Sequence, residues 1–126
     1  MDNLDLLAAR TAQMIIDKTK DNKSSDVDNV VTKTLGVLQE NGVYAAALFT
    51  FTRPKKEEEI AATMRQQLMQ FASKDILHVK VPPDQPKETL DFVTEQIAKD
   101  LDTLLLIKQV WEQTLIYARY GAKARG

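Results

Sequence analysis

The chain has 126 residues, enough for one domain with a real core and too few for two. Hydrophobic residues make up 44% and charged residues 28%, and 17 Lys and Arg against 18 Asp and Glu leave a net charge of −1. No global field therefore pulls the molecule toward nucleic acid or membrane, and the absence of cysteine excludes disulfides and thiolate metal sites and suits a reducing compartment.

The opening MDNLDLLAAR is acidic and lacks the basic start and apolar core of a signal peptide. No apolar run approaches the roughly 20 residues that span a bilayer. Both observations predict a soluble, cytoplasmic protein with no membrane partner.

Residues 3–20 place Leu4, Leu7, Ala8, Thr11 and Ile15 at helical spacing, with Asn3 or Asp2 as the cap. KTKDNKSSD is polar and turn-forming and reads as a loop. A second helix puts Val27, Val30, Val31, Thr34, Leu35 and Leu38 on one face. Ser25 with Asp28 resembles a capping box at its start, and Gly42 fits the left-handed position at its end.

Residues 43–52 pose a choice. Asn41-Gly42 between apolar runs signals a hairpin, whereas three consecutive alanines after a helical segment favour helix. Helix is the expectation, apolar nearly all round and hence central to the core, with strand as the alternative. Pro54 restricts Arg53 to extended backbone and closes this element.

A fourth helix runs from about Lys56 to Ser73 with Ile60, Met64, Leu68, Phe71 and Ala72 as its stripe. Glu57, Glu58 and Glu59 fall in its first turn, where the helix dipole favours negative charge, and that role alone is expected of them. Residues 74–86, KDILHVKVPPDQP, read as a long surface loop with a possible extended edge. From Lys87 the chain is helical again through Leu90, Val93, Ile97, Leu101, Leu104, Lys108, Trp111, Leu115 and Ala118. This stretch is one helix or two, with Asp102 as a possible cap, ending at Gly121 before an AKARG tail. The whole predicts a single all-α domain over 1–126, a compact bundle of five to six helices.

Catalytic signatures are scarce. His78 is the lone histidine, so no two-histidine metal site can form, and a loop histidine is its ordinary reading. Ser24, Ser25 and Ser73 fall in loops or at helix ends, outside any nucleophile elbow. The glycines make no phosphate-cradling loop. Asp100 and Asp102 diverge on a helix, which points to capping or solvation. An enzyme built on Glu57 to Glu59 and Asp75 would need buried carboxylates, whereas these lie in charged, solvated stretches.

Two basic clusters remain. Arg53, Lys55 and Lys56 form a corner after the apolar run. Lys108, Arg119, Lys123 and Arg125 gather toward the end, with Lys108 and Arg119 on one helical face and Tyr117 and Tyr120 beside Arg119. The ordinary reading of such charges is a solvated surface.

Three blocks, LAARTAQMIIDKTK, KTLGVLQENGVYAAALFTFTR and IKQVWEQTLIYARYGAKA, stand in an order that resembles the small-subunit family of type III-B CRISPR effector complexes, the Cmr complexes. They cover about half the chain. Residues 74–86 match nothing in that pattern, and the Tyr120-Gly121 break departs from its usual longer close. The resemblance implies an all-helical, non-catalytic subunit with no metal or cofactor. Its partners would be other subunits of a type III complex, guide RNA, target RNA and self-stacking copies. It implies RNA-backbone contacts for Arg10, Lys18, Arg53, Lys108, Arg119 and Lys123, and the corner extends them to Lys55 and Lys56. The competing reading is a helical adaptor that binds only protein. Trp111 would then mark a partner groove, although its place in the main stripe predicts a core position.

Overall fold

The computed structural model describes residues 3–126. Asn3 caps the first helix as expected, its side chain accepting from the Leu6 amide at 3.0 Å. Asp2, the other cap candidate, lies outside the described residues. This helix, α1 (Leu4–Lys18), buries Ala8, Ala12 and Ile15, and Thr19 ends it by donating its hydroxyl to the Ile15 carbonyl at 2.7 Å.

Helix α2 (Ser24–Asn41) buries the six positions its periodicity selects. The capping box does not form. The helix starts at Ser24 behind an N-cap at Lys23 that makes no side-chain cap bond, so Ser25 lies inside the first turn. Asp28 instead accepts from Thr32 Oγ1 at 2.9 Å. Gly42 ends α2 with φ at +93°, a conformation L side chains rarely adopt, and passes directly into α3 (Val43–Thr50).

Helix rather than strand thus holds for the apolar run, but its central placement needs correction. Only Val43, Ala46, Ala47 and Thr50 are buried, while Tyr44 and Leu48 are exposed. A helix of 8 residues lying along α2 can bury one stripe only. Phe51 closes it, and Pro54 precedes α4 (Lys55–Gln70).

Helix α4 runs on without a break into a π-helical segment, Phe71–Leu77, so the expected long loop over 74–86 shrinks to 78–85 and contains no strand. His78 takes a left-handed conformation, φ 55°, and the Val79 amide donates to the Ser73 carbonyl at 2.8 Å to close the segment. Ile76 and Leu77 pack against the core. The alternation in ILHVKV is therefore a helix end followed by irregular chain with a bend at Val79. Ser73, expected at a helix end, is fully buried within this segment.

Pro86 opens α5 (Pro86–Phe92), which continues into a second π-helical segment, Val93–Ile97. Residues 98–100 break the chain before α6 (Leu101–Arg125). The cap is Asp100, not Asp102: its Oδ1 accepts the Thr103 amide at 2.8 Å and its Oδ2 the Thr103 hydroxyl at 3.0 Å. Nor does Gly121 end the last helix. A Cβ there would come within 2.9 Å of Ile16 Cγ1, so the glycine permits close approach to α1. Beyond it Arg125 donates to the Thr19 and Asn22 carbonyls at 2.9 and 2.7 Å, tying the helix end to the α1–α2 turn.

The result is six α-helices and, among the described residues, no strand. Helices α1 and α2 pack on α6, α3 covers α2, and α4 leans against α1 and α2. Trp111 lies at the centre with 1% of its surface exposed.

Candidate functional site

The corner after α3 is built around a carboxylate. Glu57, expected to serve only as first-turn charge on a solvated stretch, is 4% exposed. It accepts from Arg53 Nε at 3.0 Å and from Lys33 Nζ at 3.3 Å. Burial pushes its carboxyl up, but the bonds and charges of Arg53 and Lys33 outweigh that and hold it below the usual carboxylate value. The Arg53 guanidinium lies over the Phe49 ring, 4.2 Å from its centroid. Arg53 therefore folds back rather than projecting as the sequence suggested. Lys55 and Lys56 are exposed in the first turn of α4 and, among the described residues, make no ion pair. Glu58 and Glu59 are exposed too, and Asp75 is half-buried.

Beside this corner a cleft of about 380 Å³ opens between α2 and α3. Lys33, Gly36, Val37, Glu40, Asn41, Phe49 and Arg53 line it. Sequence reasoning missed Lys33. The Arg53–Glu57 spacing of four was legible, but Lys33 comes from 24 residues upstream and only packing brings it in.

The second cluster is divided. Lys123 pairs with Asp28 of α2 at 3.1 Å. Burial pushes the Asp28 carboxyl up, while bonds from Lys123 and Thr32 and the charges of Lys123 and Arg119 bring it below its usual value. Arg119 and Lys123 thus converge on the start of α2. Lys108 pairs instead with Glu112 at 3.0 Å, roughly 16 Å along α6 from Arg119. Arg10 and Lys18 are exposed on α1 and, like Arg119, form no ion pair among the described residues. Arg125 is held by backbone carbonyls, as described above.

Of the aromatics expected near Arg119, Tyr120 is exposed. The Tyr117 hydroxyl donates to Asp5 Oδ1 at 2.5 Å, a bond that raises its pKa. Tyr117 also lines a groove of about 480 Å³ between α1 and α6, with Ala9, Ile16, Asp17 and Gly121. Trp111 belongs to the core and marks no groove, since its Nε1 donates to the Leu68 carbonyl at 3.0 Å.

One buried cation escaped sequence reasoning entirely. Arg65 makes a two-pronged pair with Asp84 at 2.7 and 2.8 Å, donates to the Thr50 carbonyl at 3.1 Å, and covers the Phe51 ring at 3.7 Å. It pins the 78–85 loop to α4.

No family model matches the chain, and neither do the curated proteins or the solved structures compared with it. No helix among the described residues is long and apolar enough to cross a membrane.

Proposed function

We propose that this protein is a non-catalytic small subunit of a type III-B CRISPR ribonucleoprotein in the cytoplasm, stacking along the guide–target RNA duplex and contacting its backbone in antiviral defence. One observation carries this reading. The three sequence blocks that resemble the Cmr small subunits are α1, the α2–α3 pair and α6, and these elements pack on one another as one unit. Blocks far apart in sequence thus correspond to a contiguous body rather than to scattered helical patterns.

The charge arrangement supports the reading. Arg10, Lys18, Lys55, Lys56 and Arg119 are exposed and form no ion pair among the described residues, which leaves each able to neutralise a phosphate. Lys108 and Lys123 are already paired, so their contribution is secondary, while Arg53 is paired through its Nε alone. Guide pairing supplies sequence selection in such assemblies, and the protein needs only sequence-blind cations on a rigid frame.

A second reading, a helical adaptor with no nucleic-acid contact, is favoured by Leu101 and Leu105, exposed one turn apart at the start of α6. Isolation of the tagged protein from its native cells, with nuclease added to half the lysate, separates the two. The first reading expects a short protected RNA and several larger polypeptides. Polypeptides without RNA would leave the adaptor.

A further inference from the structure

We propose that the cleft between α2 and α3 is a binding site for a single unpaired nucleotide whose base carries an exocyclic amine. The proposal deepens the reading above, on which it rests for the choice of a nucleotide over other planar anions.

The first observation is Gly36. It lies inside α2, where glycine costs helix stability relative to any residue with a side chain except proline. Packing does not require it, because a Cβ added there would meet nothing within 4 Å. The space above it is the cleft, a shallow groove open to solvent between α2 and α3. The absent side chain keeps that space open.

The second observation is the state of Arg53. Its Nε is occupied by Glu57, and its plane is fixed over Phe49. Its two terminal nitrogens have no acceptor among the described residues. A guanidinium held on one edge and open on the other is preorganised to take two oxygens of a phosphate. Lys33, held by the same carboxylate, adds a second charge at the wall.

The third is the remaining wall. Glu40 would repel a phosphate placed near it but accepts from an amine, and the Asn41 amide offers both donor and acceptor. Arg53 and Phe49 already cover one face of each other, so a base would stack on a face that this pair leaves open. Adenosine and cytidine monophosphate fit this set of groups, and uridine monophosphate leaves Glu40 facing a carbonyl.

The test uses the ¹⁵N-labelled full chain and adenosine monophosphate, read by amide shifts of Gly36, Asn41 and Phe49. Saturable shifts are expected, with uridine monophosphate and inorganic phosphate each binding at least about tenfold more weakly. Gly36→Leu fills the cleft while leaving every charged residue of its wall in place, and should abolish the shifts while melting no lower than the parent. Absence of shifts at millimolar nucleotide, equal binding by phosphate alone, or undiminished binding by Gly36→Leu each overturns the proposal. Recovery of an RNA-bearing assembly with a nucleotide-inert cleft removes this site and leaves the proposed function standing. Nucleotide binding in a protein that never copurifies with RNA does the reverse.

Discussion

Trp111 of α6 donates its indole N–H to the Leu68 carbonyl of α4 across 3.0 Å, joining two helices 43 residues apart in sequence at the centre of the core. A buried indole needs an acceptor, and this bond fixes how α4 lies against α6. Trp111→Ala should cost about 3–5 kcal/mol through the cavity and the lost partner, a large fraction of a typical domain's stability. Urea titration followed by circular dichroism reads the cost. An unchanged midpoint would mean that the side chain is not a core element.

The two interior glycines should respond in opposite directions. Gly36→Ala removes a helix defect where a methyl group meets nothing, and a gain of about 0.5–1 kcal/mol is expected. Gly121→Val drives its Cβ toward Ile16 Cγ1 at 2.9 Å and should cost about 1–3 kcal/mol. Paired thermal melts test this, and a gain at both positions would contradict the close α1–α6 approach.

Acid should weaken the fold in a defined window. Glu57, Asp28 and Asp84 all have carboxyls held below their ordinary values of 4.5, 3.8 and 3.8 by cation partners. Their contribution is fully present above the unfolded values and is lost as pH falls through the lowered folded values, because the unfolded chain takes up protons first. Glu57→Gln should lower stability at neutral pH by about 1.5–3 kcal/mol, Lys33 contributing little because it is half-exposed. It should also flatten the decline in acid. Equal acid slopes in parent and variant would remove Glu57 from that decline.

Periodicity carried most of the fold. The stripe of α2 is buried at every position its spacing selects, because that helix presents a single face to the core, whereas α1 and α6 follow their spacing only in part: Ala8, Ile15, Trp111, Leu115 and Ala118 are buried, Leu4, Leu7, Thr11, Leu104 and Lys108 are half-buried, and Leu101, at the free start of α6, is exposed. What spacing could not carry was any feature that depends on a neighbour. Glu57 looks like ordinary first-turn charge until Lys33 arrives from α2. Arg65 falls on the buried side of α4, at i+4 from Ala61, but only the returning 78–85 loop gives it Asp84. Gly121 reads as a helix stop because its contact with Ile16 crosses the bundle. The π-helical segments have no distinct composition, so their extra residues read as a loop in one case and as regular helix in the other. Among the cations, sequence could not say which were already paired, and it passed over Lys33 and Arg65, whose partners come from distant elements.

Arg65 and Asp84 make a local prediction. Asp84→Asn leaves a buried guanidinium with only the Thr50 oxygens and the Phe51 ring, and a loss of about 2–3 kcal/mol is expected. The 78–85 loop should become the first site of limited proteolysis. A loop that resists cleavage in the variant would show that Thr89, which donates to the Pro83 carbonyl, holds it unaided.

RNA affinity of the ribonucleoprotein recovered from native cells, measured across salt concentrations, bears most directly on the central claim. Lys55→Ala with Lys56→Ala removes two exposed cations that form no ion pair among the described residues. If both touch phosphates, the slope of log affinity against log salt falls by about 0.7–0.9 for each. An unchanged slope, with Arg10→Ala, Lys18→Ala and Arg119→Ala equally silent, would contradict an RNA-contacting role for this subunit.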